Sequence, residues 1–163
     1  MRKVVSNTGP LITLEKMQDG FGFIQKLYDK IIIPPKVLEE VSFRLGDCRL
    51  YLQKYNIGNL IEVKSKFSIV RADGIENLHY GEVEAISLAV KLNCGLLIED
   101  NDGRGVAESL GITVSGIAGR VMEALERNII EKREARSKID ELFHKKRLDS
   151  NTHQVLIQKI LSR

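Results

Sequence analysis

The sequence predicts an α/β fold, with a central, mainly parallel sheet covered by helices on both faces. Three observations carry that expectation. Short apolar runs rich in Val, Ile and Leu occur at Lys3-Val4-Val5, Ile31-Ile32-Ile33, Leu96–Glu99 and Ile112-Thr113-Val114. Such short apolar runs suit strands buried on both faces. The runs alternate with segments of helical periodicity, so they are joined by crossovers, which are right-handed in parallel sheets. They also stop abruptly, at Ser6-Asn7-Thr8-Gly9-Pro10, at Pro34-Pro35 and at Asp100-Asn101-Asp102-Gly103. Capping residues, Gly and Pro in those positions start helices and turns.

Taken in order, Lys3–Val5 is first in the chain and reads as a central strand. A helix begins at Pro10 and turns Leu11, Ile12 and Leu14 inward; a second covers Phe21–Tyr28. After the strand Ile31–Ile33, Pro35 suits a first helical turn, so Lys36–Leu45 is expected to be helical, with another helix over Asp47–Tyr55. Leu60–Val63 and Phe67–Val70 read as short strands, and Arg71–Leu78 as a polar loop. Gly81–Leu92 is a helix closed by Asn93-Cys94-Gly95, with Gly in the position that favours a left-handed cap. The strand Leu96–Glu99 follows, then a helix over Asp102–Leu110, the strand Ile112–Val114 and a helix over Gly116–Asn128. Glu131–Lys146 and Thr152–Leu161 read as two charged amphipathic helices. The length of 163 residues is one domain's worth, with 131–163 as a C-terminal helical extension.

Composition narrows the function classes without naming one. The absence of Trp and an aromatic content of 6% imply an aliphatic core. The net charge of +3, from 25 basic and 22 acidic residues, permits a nucleic-acid partner and does not demand one. Basic and acidic residues interleave along the tail, which favours pairs on a helix surface over a single-sign stripe. Two cysteines, Cys48 and Cys94, form neither a disulfide framework nor a metal motif, and are expected to be small buried hydrophobes. No apolar run is long enough to span a membrane, and Ser6, Asn7, Gly9 and Pro10 interrupt the N-terminus before a signal-peptide core can form. A cytoplasmic protein is the expectation. His79, His144 and His153 lack metal-ligand spacing, and no P-loop, GxGxxG or Ser-His-Asp signature is present.

The chemistry-bearing residues are acids near strand and helix ends. Asp100 follows a buried strand, and Asn7 holds the equivalent place after the first one. Asp102 reads equally as a ligand or as a helix N-cap. In the helix after Pro34-Pro35, Val37, Leu38, Val41 and Leu45 form the apolar stripe; Glu39 points away from it and Glu40 lies on its flank. In Gly81–Leu92, Glu84, Ser87 and Lys91 share a polar face, whereas Glu82 falls among apolar positions. Glu99 points away from Asp100 by strand alternation. The candidate set is therefore Asn7, Glu40, Glu82, Asp100 and Asp102. Clustered carboxylates raise one another's pKa unless a cation neutralises them. Oxygen ligands favour Mg²⁺ or Mn²⁺, ions that activate water and stabilise a phosphodiester transition state. Arg104 and Arg120 follow strand ends and are weak candidates for phosphate contact.

The blocks VVSNTGPLITL, IIIPPKVLEEV, HYGEVEAISLAVKL, LLIEDNDGRGVAESLGI and TVSGIAGRVMEAL, in that order over Val4–Leu125, resemble the PIN-domain ribonucleases, in particular a branch beginning VVSNTGPLI or VVSDTGPLI. The resemblance implies a three-layer α/β/α fold and an acidic Mg²⁺/Mn²⁺ site. It maps the family's helix glutamate to Glu40, its central acid to Glu82, its post-strand acids to Asp100 and Asp102, and its supporting Ser or Thr to Thr8. It also implies endonucleolytic cleavage of single-stranded RNA, a small antitoxin protein as partner, and a homodimer. The family's acid after the first strand maps to Asn7, whose amide oxygen can bind a hard cation but brings no charge. The alternative reading is a catalytically weakened PIN-like module for RNA binding or protein interaction. An unrelated receiver-like α/β domain fits the residues less well.

Overall fold

A computed structural model of the chain describes residues 1–163. The apolar runs form β1 (Lys3–Ser6), β2 (Lys30–Ile33), β3 (Ile61–Val63), β4 (Leu96–Leu97) and β5 (Val114–Ser115). All neighbours pair in parallel, in the order β3-β2-β1-β4-β5. The first strand is thus the central one. The chain winds outward from β1 through β2 to β3, then crosses back to add β4 and β5 on the other side. The reversal point lies between β1 and β4, where open α/β sheets place their sites.

The strands are apolar because both faces are covered. Val4, Ile31, Ile33 and Leu97 face the larger core cluster, while Val5, Ile32, Leu96 and Ile98 face the smaller one. The larger layer is built by α1 (Thr8–Lys16), α2 (Gly20–Gln25), α3 (Pro35–Ser42), α4 (Cys48–Lys54), α7 (Ile117–Glu126), α8 (Lys132–His144) and α9 (Ser150–Leu161). The opposite layer consists of α5 (Tyr80–Leu92), with Ala85, Ile86, Leu88 and Ala89 inward, and α6 (Asn101–Ser109), with Val106 and Ala107 inward. The result is the expected three-layer α/β/α arrangement. No helix is long and apolar enough to cross a membrane.

Several boundaries differ from the sequence reading. Helix α1 begins at Thr8, so Pro10 sits in the first turn, where backbone N–H groups have no intrahelical partner to lose. The helix expected through Leu45 ends at Ser42 and tightens into a 3₁₀ turn over Phe43–Leu45. Phe67–Val70 is not a strand. The Val70 N–H donates to Ser87 Oγ at 3.1 Å, and Phe67 and Val70 pack on the smaller core, so the segment spends its apolar residues on α5 rather than on the sheet edge. That bond also explains why Ser87 is buried on the face of α5 expected to be polar: its hydroxyl accepts from Val70 and donates to the Val83 carbonyl. Cys48 is exposed and Cys94 only partly buried, against the expectation for both. Cys48 opens α4, a short helix whose buried residue is Tyr51.

The tail is integral to the larger core. Ala135, Ile139 and Leu142 of α8 and Ile160 of α9 are buried in it beside Val121 and Ala124 of α7. Ile139→Ala is expected to cost about 2–4 kcal/mol of unfolding free energy in urea titration. A loss below about 0.5 kcal/mol would show that the tail packs loosely on the body.

Candidate functional site

Asn7 is the residue at which β1 gives way to α1. Its backbone N–H donates to the Leu97 carbonyl at 3.0 Å, tying it to the end of β4, and the residue is 7% exposed. Asp100 lies three residues beyond β4 as the N-cap of α6, its Oδ1 accepting from the Gly103 N–H at 3.1 Å. Capping thus falls to Asp100 rather than Asp102, because the helix already begins at Asn101. Asp102 is exposed in the first turn of α6. It lines a neighbouring pocket with Asp73 and Asn77, away from the cleft that Asn7 and Asp100 share.

Glu82 is the group most at odds with its surroundings. It sits in the first turn of α5, 7% exposed, and its Oε2 has no hydrogen-bond partner. Burial raises its pKa above the ordinary value; the charge of Asp100 raises it further and that of Glu40 adds a smaller push, while His79 opposes them. Two glycines make room for these acids. A Cβ on Gly103 would lie 2.6 Å from Glu82 Oε2, and one on Gly81 would collide with Glu40 Oε1. Glu40 is held from the other side by Thr8, whose Oγ1 donates to Glu40 Oε1 at 3.2 Å. Glu39 instead pairs on the surface with Lys36 at 3.3 Å, as its place on the helix implied.

The structure therefore links Glu40, Glu82 and Asp100 through Thr8, Gly81 and Gly103, with Asn7 lining the same cleft as Asp100. No three His, Cys, Asp or Glu side chains close into a ready-made metal cage.

Glu99 has a role that strand alternation did not reveal. Its carboxylate is held in a knot of its own. Its Oε1 accepts from Thr13 Oγ1 at 2.7 Å and pairs with Arg147 Nη2 at 3.4 Å; its Oε2 accepts from the Ile117 N–H at 3.2 Å. Arg147 also donates to Thr13 Oγ1 at 2.8 Å and to the Gly9 carbonyl at 3.1 Å. A carboxylate at the end of a buried strand requires such partners, but its cation lies 48 residues away in sequence. Of the two arginines considered for phosphate, Arg104 lines the cleft and donates to the Ile98 carbonyl at 3.2 Å. Arg120 is committed elsewhere, to Glu123 at 2.7 Å, Ser115 Oγ at 2.9 Å and Tyr28 Oη at 3.3 Å.

Comparison with known proteins bears on the fold that carries these residues. The family described as PIN domain matches residues 3–162. The chain belongs to the PIN-domain family. PIN domains are generally nucleases, so the chain carries a nuclease-type fold. Among solved structures it is similar to a PilT N-terminus domain protein from the hyperthermophilic archaeon Sulfolobus solfataricus P2. Identity is 23%, the TM-score 0.52, and the match covers 77% of this chain and 95% of that one. A domain of a functionally unknown protein from Methanocaldococcus jannaschii DSM 2661 is 22% identical, with a TM-score of 0.44 and coverage of 71% and 91%. The likeness to the Sulfolobus protein is one of fold. No curated protein matches the chain.

The raised pKa of Glu82 has a measurable consequence. Its carboxyl titrates near the ordinary 4.5 when unfolded and higher when folded. Between those values the folded state binds more protons, so in chelator its stability falls as pH rises through the window and stays lower above it. Glu82→Gln is expected to flatten that fall and to raise Tm by a few degrees at about pH 7.5. Thermal denaturation of both proteins across this range is the measurement, and identical pH profiles would refute the effect.

Proposed function

We propose that this PIN-domain protein is a metal-dependent endoribonuclease that cleaves single-stranded RNA. The observation that carries the reading is the buried, partnerless Oε2 of Glu82, repelled by Asp100 and Glu40. Such a group fits a cation that is held there: it supplies an unused donor in a place where negative charge is otherwise penalised. The donors are all oxygens, which suits Mg²⁺ or Mn²⁺. Glu40, Glu82 and Asp100 would hold the ion, with the amide oxygen of Asn7 in support and Asp102 at the margin.

A divalent ion bound there supplies Lewis acidity, lowering the pKa of water and neutralising charge on the phosphodiester. The chain's own residues do the rest. Thr8 orients Glu40, the Gly103 N–H orients Asp100, and packing of α5 against the sheet keeps Glu82 in place. Glu99, saturated by Thr13, Arg147 and Ile117, fixes the strand end next to Asp100 without competing for the ion. The family resemblance supports the finer parts of this reading, a toxin restrained by a small antitoxin and a homodimer; composition and length support a cytoplasmic location and residues 1–163 as one domain with 131–163 as its helical extension. A second reading, an RNA-binding or protein-interaction module weakened in cleavage, is favoured by Asn7 and by the absence of a closed three-acid cage.

With single-stranded RNA and Mn²⁺, the wild type is expected to cleave, and chelation to abolish cleavage. Asp100→Asn should lose more than the roughly 10–100-fold typical of removing an outer-sphere partner of a metal site. Equal cleavage by both proteins would point to another site or a contaminant, and RNA retention without cleavage would support the module. Asn7→Asp adds a charge to the oxygen set and should tighten Mn²⁺ binding in calorimetry; unchanged affinity would remove Asn7 from the ligand set.

A further inference from the structure

At Asn7 and Asp100 the acidic site borders a cleft of about 1080 Å³ whose far side is supplied by the tail. Asn7 and Asp100 line one side; Phe143, Lys146 and Arg147, from the end of α8 and the turn toward α9, line the other. The charges of this lining are unequally committed. Glu99 and Arg147 satisfy each other, and Asp149 caps α9, accepting from the Thr152 N–H at 2.8 Å and the Thr152 hydroxyl at 2.7 Å. Arg104 and Lys146 have no carboxylate partner anywhere in the chain. They are the free cations of the cleft. Beside them, Phe143 is partly buried and its ring is stacked on His153, with centroids 4.4 Å apart and planes at 16°. His153 is fixed in turn by Asp140 Oδ1 at 2.8 Å.

We propose that the α8–α9 turn is the substrate-positioning wall of the site, with Arg104 and Lys146 holding phosphates of a single-stranded RNA and Phe143 seating one of its bases. This rests on the nuclease reading and extends it to how the strand is held. Two free cations and a braced aromatic ring along one open groove match a flexible chain of phosphates and bases, which single-strand binders hold by charge and by stacking. Holding the Phe143 ring against His153 before binding reduces the ordering cost at the moment a base arrives. Arg147 is a positioning residue: its bonds to Glu99, Thr13 and Gly9 set the turn against the strand end, which fixes Lys146 and Phe143 relative to Asp100.

The test is fluorescence anisotropy of a fluorescein-labelled single-stranded RNA of mixed sequence, in chelator, so that binding is read apart from cleavage. Lys146 is exposed, so Lys146→Glu should leave the fold intact. It is expected to weaken binding about 10-fold or more and to lower the salt slope by about 0.7, with Lys146→Arg restoring both. Phe143→Ala should weaken binding by about 10-fold with the salt slope unchanged, and Phe143→Tyr should retain it. Wild-type affinity in Lys146→Glu, or no RNA binding by the wild type, would overturn the proposal. Cleavage that needs Asp100 while neither tail variant alters binding would leave the nuclease reading standing and remove the wall. Binding lost in both tail variants, with cleavage indifferent to Asp100→Asn, would keep the wall and remove the assigned acids.

Discussion

A buried carboxylate with an unused oxygen sets the terms for the rest of this structure. Glu82 is enclosed by protein, and the neighbouring charges that shift it most upward belong to other acids. An isolated buried charge is costly, and like charges nearby increase the cost. The chain nevertheless makes space for the group by leaving out a Cβ at Gly103, and for its neighbour Glu40 by leaving one out at Gly81. A sequence selected for stability alone would have placed an apolar residue at position 82, in keeping with Ala85, Ile86 and Ala89 on the same helix. Stability is given up where a positive partner is expected, a trade common at functional sites.

The sheet explains why these acids meet where they do. Strands buried on both faces have no room for charge along their length, so polar chemistry is driven to their ends. Because β4 lies beside β1, residues 7 and 100 end up near each other despite their separation in sequence. The short β4 ladder is extended by single hydrogen bonds, the Asn7 N–H to Leu97 and the Ile98 N–H to Ser115. These set the strand end just before it gives way to Glu99 and the α6 cap. Helices α3 and α5 then bring Glu40 and Glu82 in from the layers on either side.

Much of this was legible in the residues, and the exceptions share a cause. Unbroken apolar runs identified the parallel strands, and helical periodicity preferred Glu40 to Glu39 and singled out Glu82, because those signals are local. Asp102 reads equally as a cap or a ligand in the sequence, and the cap is Asp100, because a small shift of a helix start decides which acid reaches the free N–H groups. Phe67–Val70 has the composition of a strand, but its partner is the face of α5, and no local pattern shows which surface an extended segment will choose. Burial is the average habit of a free Cys, and the place of Cys48 at the start of a short helix overrides it. The partners of Glu99 come from distant parts of the chain, so no local pattern shows them.

That last feature also bears on the order in which the molecule can be completed. The knot around Glu99 joins residues 9, 13, 99, 117 and 147, and its longest hydrogen bond, from Arg147 to the Gly9 carbonyl, spans 138 positions. Contacts of such separation form only after the intervening chain has been gathered. A nascent chain emerging from the ribosome will already carry all of the candidate acids once residue 102 is out. It will lack the brace beside Asp100 until position 147 has followed. The brace is therefore made well after the acids it steadies.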